Sequence, residues 1–198
     1  MSQLSVPPAP VRMVDGVELP ATGRWRIDPG HAEVGFVGRH LLFTKVRGRF
    51  RTVEGYVDIA ADPNDSTVEA TIDMASVDSG DEARDQHLRS ADLFYVAEYP
   101  IAIFTGRAYG WSGGGRGKLR GDLTIKGVTN SVELEVICRG AVVDPWGGQR
   151  AVLSATGTIN REDWGITWNM PLASGGVLVS KEIQIELELE TIRDHAAG

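Results

Sequence analysis

The sequence predicts an all-β protein, an antiparallel barrel closed by one helical insertion. Three observations carry that expectation. Residues 182–190 alternate strictly, with Ile183, Ile185, Leu187 and Leu189 on one side and Glu182, Gln184, Glu186, Glu188 and Glu190 on the other. That is the period-two pattern of a strand with one wet face. Similar runs recur at short intervals between Gly, Pro, Asn and Asp clusters, giving roughly eight to ten strands. Only residues 78–104, DSGDEARDQHLRSADLFYVAEYPIAIF, read as helix. Closing a sheet on itself removes its open edges, and about eight strands is the size at which a barrel holds one ligand. A two-sheet jelly roll is the alternative packing of the same strands.

The elements follow in order. Residues 1–23, with Pro7, Pro8 and Pro10, are expected as an extended or disordered arm. They lack the positive n-region and apolar core of a secretory signal. The expected location is therefore the cytoplasm, or the periplasm if a leader has been removed. Trp25 to Ile27 opens the first strand, Asp28-Pro29-Gly30 is turn chemistry, and residues 32–39 resume with Val34 and Phe36 on one face. Leu41 to Gly48 reads as an apolar bend. Val53, Val57 and Ile59 oppose Glu54, Tyr56 and Asp58, although Gly55 breaks the apolar row. After the turn at 62–65, Val68, Ala70, Ile72 and Met74 alternate with Glu69, Thr71 and Asp73.

In the helical segment, Ser79 and Glu82 form a capping box, and Asp81 and Glu82 suit the positive end of the dipole. Ala83, His87 and Ala91 share a stripe, flanked by Arg84 and Leu88. A second short helical turn spans Asp92 to Ala97, and Tyr99-Pro100 ends it. Ile101 to Tyr109 is a strand, turned by residues 112–115 into Lys118 to Ile125, and Lys126-Gly127 makes the next hairpin. Val132, Leu134, Val136 and Cys138 then alternate with Glu133, Glu135, Ile137 and Arg139. A turn at 144–148 precedes a strand from Ala151 to Ile159. The barrel domain is expected over residues 24–193, followed by a flexible tail, 194–198.

Composition narrows the function. Twenty basic against 27 acidic residues give a net charge of −7, with no basic stripe. That argues against a nucleic-acid partner. One cysteine excludes an internal disulfide and a cysteine-rich zinc site. No run approaches the roughly 18 apolar residues of a membrane span. Gly110-Trp111-Ser112-Gly113-Gly114 matches G-x-S-x-G, but a strand follows rather than a helix, and the only later histidine is His195 in the tail, so it reads as a hairpin loop. His31, His40 and His87 form no H-x-x-x-H pair, and no metal site is assigned. Arg84, His87 and Arg89 place donors in one helical segment. They read either as a solvated face paired with Asp81 and Asp85 or as a polar collar at a cavity mouth.

The order of segments resembles the YceI family of lipocalin-like, polyisoprenoid-binding proteins. The matching stretches are WRIDPGHAEVGFVGRH (25–40), VRGRF (46–50), SVDSGDEARDQHLRSADLFYVAEYPIAIF (76–104), GDLTIKGVTNSVELEV (121–136), REDWGI (161–166) and VLVSKEIQIELELE (177–190). The resemblance covers residues 24–193. It implies an extended eight-stranded antiparallel lipocalin-like barrel with a short helical lid, whose interior takes an isoprenoid lipid, a quinone or a related amphiphile without catalysis. It is compatible with a homodimer, and no cofactor is expected beyond such a lipid. The sequence departs from the family's D-F-F-D stretch, which here is Asp92-Leu93-Phe94-Tyr95.

On this reading the tail threads the barrel, because each buried methylene gains about 0.8 kcal/mol. A charged head stays at the mouth, because an unpaired buried charge is costly. Head-group candidates are His31, His40, Arg84, His87 and Arg89. Apolar lining candidates are Phe36, Leu42, Phe50, Leu88, Phe94, Phe104 and Trp164. Two rival readings are an interaction module with a filled core and a metal-assisted lyase or isomerase using the barrel histidines.

Overall fold

The computed structural model describes residues 10–41, 43–173 and 176–194, so Leu42 of the expected lining and His195 of the tail lie outside the described residues. The chain begins with strands β1 (Val11–Val14), β2 (Val17–Pro20), β3 (Gly23–His40), β4 (Thr44–Phe50), β5 (Val53–Ile59), β6 (Thr67–Asp73) and β7 (Val77–Asp78). One α-helix, α1 (Glu82–Arg89), is followed by β8 (Ile101–Ser112), β9 (Arg116–Ile125), β10 (Val128–Val143), β11 (Gln149–Asn160) and β12 (Glu182–Arg193).

Eight strands close the barrel in the order β3-β5-β6-β8-β9-β10-β11-β12, every neighbouring pair antiparallel. The seam is β12 against β3, where Ile185 pairs with Phe36 and Leu187 with Val34. The jelly-roll alternative is thereby excluded. β3 serves two partners on its other side: β5 covers its first residues, from Gly23↔Ile59 to Arg26↔Tyr56, and β4 covers its last, from Val34↔Phe50 to His40↔Thr44. Strands of 10 to 16 residues around much of the wall make a tall barrel. At about 3.3 Å per residue and a tilt near 40°, its height is on the order of 30 Å.

Several local expectations are corrected. Asp28-Pro29-Gly30 does not end a strand. Residues 28–31 form a bulge inside β3, inserted between the pairs Ile27↔Thr191 and Ala32↔Leu189, where they oppose Glu190 alone. The Asp28 carboxylate accepts from the Gly30 amide at 3.1 Å, and Pro29 has no N–H to leave unpaired, so the ladder tolerates the insertion. The apolar bend expected over 41–48 is strand β4 from Thr44 onward. Gly55 interrupts its row because β6 passes too close: a Cβ there would lie 2.0 Å from the Glu69 carbonyl oxygen. Lys126 and Gly127, at φ 53° and 73°, make the expected two-residue hairpin.

The helix is shorter than expected and differently capped. Asp81, not Ser79, is the N-cap and accepts from the Arg84 amide at 3.0 Å. Ser79 instead donates its amide to the buried Asp85 carboxylate at 2.9 Å. No helical turn forms over 92–97. Ser90 leaves helical angles, and the amides of Phe94, Tyr95 and Val96 fold back onto the carbonyls of Leu88, Ser90 and Arg89. Those bonds satisfy the orphan carbonyls of the helix end.

Inside the stretch expected as an extended or disordered arm, β1 and β2 pair as a hairpin with a positive-φ turn at Asp15-Gly16. Two Arg12 nitrogens donate to the Ala60 and Ala61 carbonyls at 2.6 Å, and Leu19 is buried. This hairpin stands at the end of the barrel opposite α1. No described helix is long and apolar enough to cross a membrane.

Candidate functional site

The alternating rows read from the sequence face one shared space. Ile183, Ile185, Leu187 and Leu189 from β12, Val68, Ala70 and Ile72 from β6, and Val132, Leu134, Val136 and Cys138 from β10 all line a single cavity of about 680 Å³. That is over four times the roughly 150 Å³ apolar cavity that admits one benzene, so there is room for on the order of 25 carbon atoms. It also lies within the range of about 300–1,000 Å³ typical of small-molecule sites. Side chains do not fill the barrel as a packed core would.

The expected apolar lining residues Phe36, Phe50, Leu88, Phe94, Phe104 and Trp164 all form part of this wall. Phe36, Phe50 and Phe94 make one aromatic group, with centroids 5.6 Å apart for Phe36–Phe50 and for Phe50–Phe94. Trp164 is buried, and its indole N–H donates to the Leu123 carbonyl at 2.9 Å, leaving an apolar ring toward the interior.

The head-group candidates divide. His40, Arg84 and His87 line the cavity near the α1 end. Arg84 is already engaged there, donating from Nε to the Ser79 hydroxyl at 2.7 Å and from Nη2 to its carbonyl at 2.8 Å. His87 sits edge-on to Trp168 with centroids 4.4 Å apart and lies 3.4 Å from the Asp92 carboxylate. Arg89 and His31 are corrections: neither is on the wall. The Arg89 guanidinium ties α1 to the 3₁₀ turn Met74–Ser76 and the start of β7, donating to the carbonyls of Ala75 and Val77 at 3.0 and 2.9 Å. His31 belongs to the β3 bulge, with its side chain exposed and Nδ1 3.0 Å from Asp28. The bulge is what turns it away from the interior.

Asp28, His31 and Glu190 have ligand atoms within 4.8 Å of one another, the one grouping among the described residues that could hold a metal ion. A cation already occupies their centre. Arg150 donates from Nη1 to Asp28 at 2.7 Å and to Glu190 at 2.5 Å, and from Nε to Asp144 at 2.7 Å. Burial alone would raise the Asp28 carboxyl. Hydrogen bonds from Arg150, His31 and the Gly30 amide outweigh it and hold it at about 2. The grouping is a salt-bridge knot that pins the bulge to β11 and β12.

Two features of the wall were not legible beforehand. No aspartate or glutamate lines the cavity among the described residues, although the chain as a whole is acidic; its charged members are Arg12, Arg39, Arg84, Lys118 and Arg161. The Lys118 ammonium turns outward to Glu133 at 2.9 Å. Arg161 is the second feature: it is buried at 5% exposure. It follows β11 at the start of a one-turn 3₁₀ segment, Arg161–Trp164, capped by Asn160 and closed by Gly165 at φ 69°. Its sequence neighbours are Glu162 and Asp163, and nothing in the pattern marks it as interior. Cys138 also lines the cavity, and burial pushes its thiol pKa up.

Fold and cavity together define a closed antiparallel barrel of lipocalin type around an apolar tunnel. The chain belongs to the YceI family, whose YceI-like domain matches residues 25–191. It is 36% identical over 167 residues to the UPF0312 protein SAS2572 of Staphylococcus aureus (strain MSSA476), covering 82% of this chain and 94% of that protein. Among solved structures, the YCEI protein of Campylobacter jejuni superposes with a TM-score of 0.65 at 27% identity, covering 79% of this chain and 90% of that one. BcnA of Burkholderia cenocepacia gives 0.70 at 23% identity, covering 83% and 98%. A polyisoprenoid binding domain from Saccharophagus degradans gives 0.66 at 18% identity, covering 88% and 100%. The last two establish the shared fold.

Proposed function

We propose that this protein binds and carries or sequesters a long-chain amphiphile of the isoprenoid type, without catalysing its conversion. The observation that carries the reading is the cavity: about 680 Å³ enclosed by apolar side chains in a barrel of this family. Burying a chain of some 15 carbons there gains roughly 10 kcal/mol before association and ordering costs, which leaves a usable affinity. The name of the Saccharophagus relative, a polyisoprenoid binding domain, supports the same class of ligand. The polar end of the ligand lies toward α1, where Arg39, His40, Arg84, His87 and Arg161 gather on the wall.

The alternative of an interaction module has a filled core as its signature, which this barrel lacks. The lyase or isomerase alternative draws on converging histidines. His31 is off the wall, and His87 is held by Trp168 and Asp92.

Mass spectrometry of a solvent extract of the purified protein tests the reading. A stoichiometric prenyl or other long-chain amphiphile is expected. Its absence, together with failure of the delipidated protein to take up an added chain, contradicts it.

A further inference from the structure

We propose that Arg161 is a specificity-determining residue that draws an anionic head group into the tunnel, so that the ligand is an acidic amphiphile seated on this guanidinium and not a neutral chain. This rests on the carrier reading above and adds to it the chemistry of the head and its position.

Arg161 donates from Nε to the Ser180 carbonyl at 3.0 Å and from Nη1 to the Ile166 carbonyl at 2.5 Å. Its Nη2 is buried and has no hydrogen-bond partner among the described residues. Among the described residues no ion pair involves Arg161 either: the nearby Glu162 carboxylate is taken by Lys181 at 2.8 Å. Both occupied donors therefore meet neutral carbonyls, and the positive charge, offset only by the field of Glu162, lies beside the cavity that the residue lines. A buried charge without a counter-charge is among the costliest arrangements a fold can hold. Burial accordingly lowers the guanidinium pKa, opposed only by Glu162.

A small turn of the guanidinium toward the cavity would bring the enclosed Nη2 to an anionic oxygen, which supplies the missing acceptor and the missing charge in one step. The wall favours it, since among the described residues it carries no carboxylate to repel an anion and Arg39 joins the same locus, its carbonyl accepting from the Ser180 amide. The cost that would hold a charged head at the mouth is thus removed at this one position. A carboxylate and a phosphate ester share the required chemistry, because each offers a charged oxygen acceptor.

The test compares farnesol, farnesoic acid and farnesyl phosphate, which share one hydrocarbon chain, by titration into the delipidated full-length protein. Wild type is expected to bind at least one of the two acids about tenfold or more tighter than the alcohol, the gain typical of a charge-assisted bond. Which acid gains identifies the head. Arg161→Gln is expected to bind all three alike at the alcohol's affinity, while Arg161→Lys keeps part of the preference. Equal binding of the three chains by wild type overturns the inference and leaves the carrier reading standing, as does an undiminished preference in a folded Arg161→Gln. Failure of every chain to bind overturns both. Should Arg161→Gln not fold, the wild-type ranking and Arg161→Lys still decide.

Discussion

The ring of Phe94, in the turn that follows α1, lies 5.6 Å from that of Phe50 on β4 and 6.5 Å, edge-on, from that of Phe36 on β3. A residue of the helical insertion thus reaches over the cavity and packs on the barrel strand β3 and on β4 beside it. The insertion is held by what it inserts, and the α1 end of the tunnel closes around that ring.

Phe94→Ala is therefore expected to act on both stability and exchange. Losing a half-buried ring costs about 2–3 kcal/mol, below the range for a fully buried one. A bound chain should also leave faster. Denaturant unfolding and stopped-flow displacement of a fluorescent fatty chain check the two effects. An unchanged off-rate means the ring does not gate this end.

Sidedness along β8 gives a sharper pair. Phe104 is buried on the cavity wall, while its neighbour Ile103 is 40% exposed on the outer face. Phe104→Glu is expected to abolish chain binding, because the carboxylate brings its desolvation cost into the tunnel. Ile103→Glu should bind as wild type does. Circular dichroism of both variants separates loss of binding from loss of fold.

Acid stability follows from the knot around Arg150. Asp28 is held at about 2, below its ordinary 3.8. Its folded-state pKa is depressed, so its contribution is fully present above the unfolded value and is lost as pH falls from about 4 through about 2. The shift corresponds to roughly 2 kcal/mol. Asp28→Asn is expected to lower stability at pH 7 by about that amount and to flatten the pH dependence below pH 4. Urea midpoints at pH 7 and pH 3 measure both. A variant as steep as wild type in that window would assign the acid response to other carboxylates.

The base of the lid supplies another variant. Asp85 is buried at 4% exposure and accepts from the Ser79 amide. Asp85→Ala leaves that amide and the Arg84–Ser79 bonds without their organising acceptor, at about 1–3 kcal/mol. Hydrogen exchange over residues 79–89 should accelerate while that of β9 and β10 stays unchanged.

Much of the barrel was legible because it is built from side-chain parity. The apolar rows of β6, β10 and β12, read from alternation alone, all point into the cavity. Parity fails where the backbone departs from it. The bulge at 28–31 turned His31 outward, and Gly55 broke a row for reasons set by the neighbouring strand. The helix cap shifted from Ser79 to Asp81 because Asp85, a buried residue within the helix, binds both the amide and the hydroxyl of Ser79. Arg161 was the largest omission: although flanked by acids in sequence, it begins a 3₁₀ turn in which its side chain is buried. Burial of a single charged side chain depends on what encloses it, and that is not written in its neighbours.

The central claim is that the barrel interior accepts a hydrocarbon chain. Calorimetric titration of the delipidated protein with geranylgeraniol, a neutral chain long enough to occupy the tunnel, tests it most directly. Saturable binding of one chain per protein with a negative heat-capacity change, lost in Phe104→Glu, is predicted. Absence of saturable binding, or binding that Phe104→Glu leaves intact, would contradict it.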